Sequence, residues 1–455
     1  MTKGKIIGLV GVVLAVVFIL FGLPFFTKNE PKEENTEVEA VSESVSEPDL
    51  GESLLENADA TVSDNNASLA QDINMTSVSG GDSVANNSQN PEGNPNLDGN
   101  PESDEKLEAN TGQNLEPENF EKAYWKKNHT KVKGIYVTGP MAGSGGMKSL
   151  IELCDKTELN AMVIDIKDEN GNITFRMPEE TEPAVLGNCK NYIGDMDALM
   201  KELGEHEIYT IARIVCFKDP ALAKEKPELA IKDKNGKFVT DSSKLPWVDP
   251  CKEETWEYLT DIALYCADLG FDEIQFDYVR FPVGIVTGKP KYDVEVTNEN
   301  KHTYINDFLV YATERLHEVK MPVTADLFGT VIGNPKDAGN VGQDYAELSA
   351  TLDAVCPMVY PSHYSNGSFG CAVPDAKPYE TIKGAMDLSV KELSCLNEEE
   401  CAVVRPWLQD FTASWVKGHI SYGLEEVESQ IQAVNDAGYE EWILWNAKNQ
   451  YSITP

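Results

Sequence analysis

The chain has 455 residues, a formal net charge of -38 and a charged fraction of 25%. This length allows two or three average domains. The excess of acidic residues argues against nucleic acids or other polyanions as partners. The composition is uneven: an apolar stretch, an acidic stretch and a long mixed stretch follow one another along the chain.

Residues 1–27 predict a signal anchor that forms a transmembrane helix. Residues 6–26 carry no charge, and about 20 apolar residues suffice to cross a bilayer. The run ends in GLPFFTKNE, which lacks the small-residue pattern of a cleavage site. We therefore favour an uncleaved anchor over a cleaved signal peptide. Since Lys3 and Lys5 precede the span, the N-terminus is expected in the cytoplasm and the rest of the chain outside the cell membrane.

Residues 28–118 predict a disordered acidic linker. The segment is rich in Asn, Ser and Glu, its acidic residues far outnumber its three lysines, and it has almost no aromatic residues. Such a segment cannot bury enough apolar surface to offset the entropy lost on ordering. It carries about half of the net charge, so the mixed stretch that follows is less acidic than the whole chain.

Residues 119–455 predict one α/β domain, a (β/α)8 TIM barrel, because eight apolar strand-like runs alternate with amphipathic helical patterns. The runs are KGIYVTG from 133, AMVIDIKD from 161, IYTIARIVCF from 208, EIQFDYVRFP from 273, PVTADLFG from 322, AVCPMVY from 354, VVRPWLQDF from 403 and EEWILWNA from 440. The helical patterns cover residues 147–158, 193–204, 252–269, 301–319, 343–352, 379–393 and 424–437. An open doubly wound sheet is the alternative, but the first loop, GPMAGSGGM, lacks its usual G-x-G-x-x-G turn.

The fourth run, EIQFDYVRFP, ends in the charged residues Asp277 and Arg280. Charge at the end of an apolar strand is costly unless the site uses it. In a TIM barrel, chemistry takes place at the carboxyl ends of the strands. Alternation of side chains places Gln275 and Asp277 towards the barrel lumen and Ile274 and Phe276 towards the helices. By the same alternation, the fifth run directs Asp326 inwards.

Two carboxylates on adjacent barrel strands suit glycoside hydrolysis, in which one acts as nucleophile or base and the other as acid. We therefore predict Asp277 and Asp326 as the catalytic pair, and we expect Arg213 and Arg280 to hold Asp277 ionised by charge pairing. Further polar and aromatic residues at the strand ends are predicted to bind a carbohydrate substrate: Asp168, Arg213, Tyr278, Arg280, Tyr360, His363, Trp407, Gln409, Asp410, Trp445 and Asn446. Alternatively, the acids form structural ion pairs with Arg213, Arg280 and Lys167.

No cofactor or metal is expected. No pair of cysteines has metal-ligand spacing with histidines. The loop DENGN, residues 168–172, is rich in oxygen ligands but lacks the spacing of an EF-hand, which favours a polar turn over a cation site.

Several segments resemble a bacterial glycosyl hydrolase-type family catalogued as DUF4015: VKGIYVTG, MVIDIKDENG, IYTIARIVCFKDP, WVDP, FDEIQFDYVRFP, VRPWLQDF and WILWNA. The resemblance covers nearly all of residues 131–455 and implies a glycosidase-type TIM barrel. More widely, the domain resembles α-amylase-like barrels, which implies Asp277 as nucleophile, Asp326 as acid and Asp410 as a stabilising carboxylate. Those barrels carry Glu where this chain has Asp326, and this departure motivates the alternative of a non-catalytic polysaccharide-binding or cell-envelope scaffolding barrel.

Overall fold

The computed structural model describes residues 117–454. Its strands are β1 (Lys133–Val137), β2 (Ala161–Lys167), β3 (Ile173–Phe175), β4 (Cys189–Ile193), β5 (Tyr209–Val215), β6 (Glu273–Asp277), β7 (Val323–Phe328), β8 (Ala354–Met358), β9 (Val403–Val404), β10 (Trp407–Gln409) and β11 (Trp442–Trp445). Each of the eight predicted strand runs contains at least one of these strands, and the run from 403 contains two, β9 and β10. β3 and β4 were not predicted.

Eight of the strands form a closed parallel barrel in the order β1, β2, β5, β6, β7, β8, β10 and β11. β1 closes the ring because it pairs in parallel with β2 on one side and with β11 on the other. The predicted TIM barrel is therefore confirmed. An open doubly wound sheet is excluded, since such a sheet leaves its first and last strands unpaired on one side.

Helices connect most of the barrel strands, as the sequence predicts. The α-helices span Lys122–Asn128, Gly139–Ala142, Met147–Lys156, Glu182–Val185, Met196–Glu205, Pro220–Glu225, Glu253–Asp268, Lys301–His317, Pro335–Val341, Tyr345–Thr351, Pro378–Leu393 and Leu424–Asp436. One predicted helix begins too early, because Ile193 ends β4 instead. The helix begins at Met196, where the side chain of Asp195 accepts a hydrogen bond from the backbone N–H of Ala198 at 3.0 Å.

The loop DENGN forms a polar turn, as predicted. The Oδ1 atom of Asp168 accepts hydrogen bonds from the backbone N–H groups of Asn170 at 2.9 Å and Asn172 at 2.8 Å. Gly171 has a φ of +79°, and a Cβ at this position would overlap the carboxylate of Asp219. The turn leads into β3, which pairs antiparallel with β2 and extends the sheet beyond the barrel.

Side chains of the barrel strands alternate between two apolar layers. Ile274 and Phe276 belong to the core between strands and helices. Gln275 lies in the lumen, where its Nε2 donates to the Sγ of Cys356 at 3.1 Å, beside an inner cluster that includes Trp407. The predicted inward and outward orientation of the β6 side chains is therefore confirmed, and the same alternation directs Asp277 into the lumen.

A buried ion network fills the lumen at the amino ends of the strands. Arg405, which follows β9, is fully buried and donates to Glu273 at 2.7 Å and to Glu441 at 2.9 Å. A ring nitrogen of His129 lies 2.7 Å from the other oxygen of Glu441. Removing one partner of a buried pair is strongly destabilising, so this network holds the base of the barrel in one arrangement.

The predicted anchor, residues 1–27, and the predicted linker up to residue 116 lie outside the described residues. Within residues 117–454, no helix is both long and apolar enough to cross a membrane.

Candidate active site

Arg213 of β5 joins three carboxylates at the carboxyl ends of the barrel strands. Its Nη1 contacts the Oδ1 atom of Asp165 from β2. Its Nε and Nη2 donate to the Oδ2 atom of Asp277 at 3.0 and 2.5 Å. Its Nε also lies 3.9 Å from the Oδ2 atom of Asp326 on β7. All four side chains are buried, so the guanidinium supplies the positive charge that three neighbouring acids require.

Asp277, the last residue of β6, is held as a hydrogen-bond acceptor. Besides the two bonds from Arg213, its Oδ1 atom accepts the backbone N–H of Tyr278 at 2.5 Å. Tyr278 adopts a φ of +50°, in the left-handed region that residues other than glycine rarely occupy. This turn brings the Tyr278 N–H back onto the carboxylate, so the position of Asp277 is fixed by both backbone and side chain.

Asp326 has a different environment from Asp277. The indole Nε1 of Trp407 donates to the Oδ1 atom of Asp326 at 2.6 Å. Burial, and secondly the nearby charge of Asp277, raise the pKa of Asp326 well above its usual range, although Arg213 opposes the shift. This shift favours the protonated form of Asp326, which is the form that a proton donor requires.

The separation of the two acids is limited by Arg213, because one oxygen of each lies within 4 Å of the same Nε atom. Those two distances keep the two oxygens no more than about 7 Å apart. This upper limit allows the separation of about 5–5.5 Å that is found between the two acids of retaining glycosidases.

Asp165 and Tyr136 complete the charged cluster, and neither was among the predicted site residues. The phenol of Tyr136 from β1 donates to the Oδ2 atom of Asp165. Burial raises the pKa of Asp165 from 3.8 to about 7, although Arg213 opposes the shift. The same alternation that placed Asp277 inside the barrel would have placed both residues there, since Tyr136 lies between the outward-facing Ile135 and Val137.

The raised pKa of Asp165 predicts a pH dependence of stability. Because the folded state binds this proton more tightly than the unfolded state, the stabilisation is complete below about pH 4 and is lost as the pH rises through 7. In Asp165→Asn we expect a flatter dependence of the unfolding free energy between these pH values, measured by denaturant titration. The exposed Asp268→Asn should keep the wild-type slope, and an unchanged slope in Asp165→Asn would contradict the assignment.

Aromatic side chains surround this cluster, including three predicted to bind sugar. The ring of Tyr136 lies 6.4 Å from Trp407 and 6.2 Å from Trp445 between centroids. The ring of Tyr360 lies 5.9 Å from Trp445. Phe411, which was not predicted, lies 5.1 Å from Trp445 and 6.0 Å from Tyr360. The structure therefore brings Tyr360, Trp407 and Trp445 together beside the acids.

Arg280 and Tyr278 lie in a neighbouring aromatic cluster. The guanidinium of Arg280 is 4.5 Å from the ring centre of Phe328, 4.8 Å from that of Trp247 and 5.1 Å from that of Tyr278. It also donates to the backbone oxygen of Phe281 at 3.1 Å. We expected both Arg213 and Arg280 to pair with Asp277, and the ion pair with Asp277 comes from Arg213.

Gln409 and His363 lie next to the aromatic residues. Gln409 accepts the N–H of Ser362 at 3.0 Å and donates to Asp375 at 2.9 Å, so it ties two parts of the loop after β8 to the end of β10. The ring of His363 lies 5.1 Å from that of Tyr360. Burial lowers the pKa of His363 to about 4, so its imidazole is neutral at physiological pH.

Asp410 and Asn446 join loop backbones. The Oδ2 atom of Asp410 accepts the N–H of Ser452 at 2.7 Å, and Asn446 donates to the backbone oxygen of Asp410 at 2.5 Å. The resemblance to α-amylases implied Asp410 as the third carboxylate of the site. In the structure, the third carboxylate bound by Arg213 is Asp165, from the second barrel strand instead of the seventh.

Lys167 fits the structural alternative, because it is fully buried and pairs with Asp219 at 2.8 Å. Asp168 holds the DENGN turn described above. Within residues 117–454, no group of three or more His, Cys, Asp or Glu side chains is arranged to hold a metal ion.

Several solved structures are similar to this chain, and one of them, with a TM-score above 0.5, supports the fold. The glycoside hydrolase domain of PgaB (BpsB) from Bordetella bronchiseptica is 12% identical, with a TM-score of 0.51, over 70% of this chain and 94% of that chain. A hypothetical protein from Ruminiclostridium thermocellum is 37% identical over 42% of this chain and 96% of that chain, with a TM-score of 0.38. An α-galactosidase from Thermus thermophilus is 12% identical over 71% and 59%, with a TM-score of 0.43.

A comparison with curated proteins finds no match. The profile of the family DUF4015, described as "Putative glycosyl hydrolase domain", matches residues 134–451. This range includes the three carboxylates around Arg213 and all eight barrel strands, apart from the first residue of β1. The chain therefore belongs to this glycosyl hydrolase domain family.

Proposed function

We propose that this protein hydrolyses glycosidic bonds of an oligo- or polysaccharide, with Asp277 as nucleophile and Asp326 as general acid and base. The observation that carries the proposal is the contrast between two acids held at one arginine. Asp277 accepts three hydrogen bonds, whereas Asp326 accepts one from Trp407 and burial raises its pKa, which favours its protonated form. In glycosidases, different environments give the two acids different roles, one as nucleophile and the other as proton donor.

In the proposed reaction, an oxygen of Asp277 attacks the anomeric carbon while Asp326 gives its proton to the glycosidic oxygen. The bond from that oxygen to the anomeric carbon breaks, and the leaving sugar departs as an alcohol. Asp326, now a carboxylate, then takes a proton from water, and the hydroxide attacks the anomeric carbon and releases Asp277. Trp407, through its bond to Asp326, would orient the proton donor.

The aromatic residues beside the acids support a carbohydrate substrate. Tyr360, Trp407 and Trp445 would stack on sugar faces, with Tyr136 as an added contact. The remaining predicted contacts are Asp168, Tyr278, Arg280, His363, Gln409, Asp410 and Asn446. Their substrate roles stay predictions, since the hydrogen bonds described above also explain several of them as loop supports.

We further propose that the enzyme acts outside the cytoplasm while tethered to the cell membrane. The proposal is supported by the uncharged residues 6–26 after Lys3 and Lys5, and by the acidic composition of residues 28–118, which suits a spacer. Protease accessibility of the domain in intact cells would test this arrangement, and protection of the domain would contradict it.

A glycan screen tests the proposed activity. The full chain is incubated with glycol chitin, carboxymethyl cellulose, galactomannan and soluble peptidoglycan, and new reducing ends are measured beside the Asp277→Asn variant. We expect turnover of at least one probe by the wild type and none by the variant. Binding of a probe with equal, background release by both proteins would instead support the non-catalytic polysaccharide-binding barrel.

A further inference from the structure

The loop after β10 presents an exposed tryptophan beside the proposed active site. Trp415 is 48% exposed, although Tyr360 and Trp407 are buried and Phe411 and Trp445 are half-buried. An exposed indole places a large apolar area in water. Such surfaces on a folded protein mark sites of interaction when they continue a binding site.

The loop that carries Trp415 is held in place. Asp375, which is fully buried, accepts the backbone N–H of Ile420 at 3.4 Å with its side chain. The phenol of Tyr422 donates to the backbone oxygen of Asp375 at 2.9 Å, and the N–H of Tyr422 donates to Thr412 at 3.0 Å. A fixed loop loses little conformational entropy when a ligand binds, so Trp415 is preorganised for contact.

Trp415 is also continuous with the aromatic residues around the acids. Its ring stacks on that of Phe411, with centroids 5.9 Å apart and planes 17° apart. Phe411 contacts Trp445 at 5.1 Å, and Trp445 stacks with Tyr136 at 6.2 Å. Tyr136 in turn donates to Asp165 of the charged cluster. A continuous chain of ring contacts therefore links the exposed Trp415 to the charged cluster.

We propose that Trp415, supported by Phe411, forms an outer subsite that stacks on a sugar ring of the substrate away from the bond to be cleaved. The inference rests on the proposed function and makes it more specific. Three rings, those of Phe411, Trp445 and Tyr136, separate Trp415 from the charged cluster. A stacking side chain at this distance fits an extended glycan chain, whereas a monosaccharide unit with a small leaving group would leave Trp415 uncovered. Trp415 is then a determinant of chain length in the substrate.

The test compares long and short substrates in the full chain. For the glycan identified by the screen, Trp415→Ala is expected to lower kcat/KM by about tenfold, mainly through KM, because one stacked ring is lost. The change is expected to be much smaller for the aryl monoglycoside of the same sugar. Trp415→Tyr should restore much of the loss, and Val390→Ala, which truncates an exposed side chain on the helix Pro378–Leu393, should behave like wild type.

Binding to the same polysaccharide, measured in the Asp277→Asn background, separates the possible failures. The subsite proposal is wrong, while hydrolysis stands, if Trp415→Ala neither weakens binding nor lowers kcat/KM for the long glycan. The same conclusion follows if the variant lowers kcat/KM equally for the long glycan and the aryl monoglycoside. If no probe is cleaved but Trp415→Ala weakens binding, the subsite stands and the hydrolase proposal fails. If the wild type neither binds nor cleaves any probe, both are overturned.

Discussion

Asp277→Asn is expected to reduce kcat/KM for glycan hydrolysis by at least about a thousandfold, since an amide oxygen is a poor nucleophile and removal of a nucleophile has effects of this size or larger. The fold should survive. The amide oxygen can still accept from Arg213, and Arg213 keeps its pair with Asp165. We expect a loss of unfolding free energy of about 1–3 kcal/mol, measured by denaturant titration beside the kinetic assay.

A matched control comes from the opposite end of the barrel. Asp353 precedes β8, is fully buried and lies 2.8 Å from a ring nitrogen of His317. Asp353→Asn should cost a similar amount of stability and leave kcat/KM unchanged. If the two variants lose activity in proportion to their loss of stability, Asp277 has a structural role and the nucleophile assignment is wrong.

The barrel could be predicted because its strands are short apolar runs with a strict inward and outward alternation. In EIQFDYVRFP, the period of two placed Gln275 and Asp277 in the lumen and Ile274 and Phe276 under the helices, as the structure confirms. Alternation acts within one strand and needs no knowledge of distant residues. It therefore locates the acids that lie on barrel strands.

The partners of Asp277 could be predicted only in part, because they depend on contacts between strands. Both Arg213 and Arg280 were predicted to pair with Asp277, and the structure shows the pair with Arg213. Arg213 lies on β5 and faces the lumen, whereas Arg280 follows Tyr278, whose left-handed backbone ends the alternation of β6. Beyond that turn the side chain enters an aromatic cluster instead.

The third carboxylate shows a second limit. The resemblance to α-amylases implied Asp410, but the seventh barrel strand is interrupted at Pro406 between β9 and β10, and Asp410 falls after the last paired residue, Gln409. There its carboxylate accepts a backbone N–H of the C-terminal segment. Asp165, within β2, meets the lumen condition, and alternation alone would have selected it.

Asp326→Asn is expected to separate the role of this acid from that of Asp277. An amide cannot donate a proton of the required acidity, so kcat/KM on an unactivated glycan should fall by about 10²–10⁴-fold. Because burial favours the protonated form of Asp326, the substitution places a neutral amide where the neutral form of the acid is already favoured. The amide oxygen can still accept from Trp407, and we expect the unfolding free energy at neutral pH to change by less than about 1 kcal/mol.

The leaving group then decides the assignment. The nitrophenolate of a nitrophenyl glycoside departs without protonation, so cleavage of this substrate should be nearly insensitive to Asp326→Asn. Asp277→Asn should abolish the reaction with both substrates, because each needs a nucleophile. Burst kinetics with the aryl substrate would resolve that first step. Equal losses on the glycan and on the aryl glycoside would remove Asp326 as the acid. The proton donor would then have to be another group near Arg213, for which Asp165, with a pKa of about 7, is the remaining carboxyl on a barrel strand.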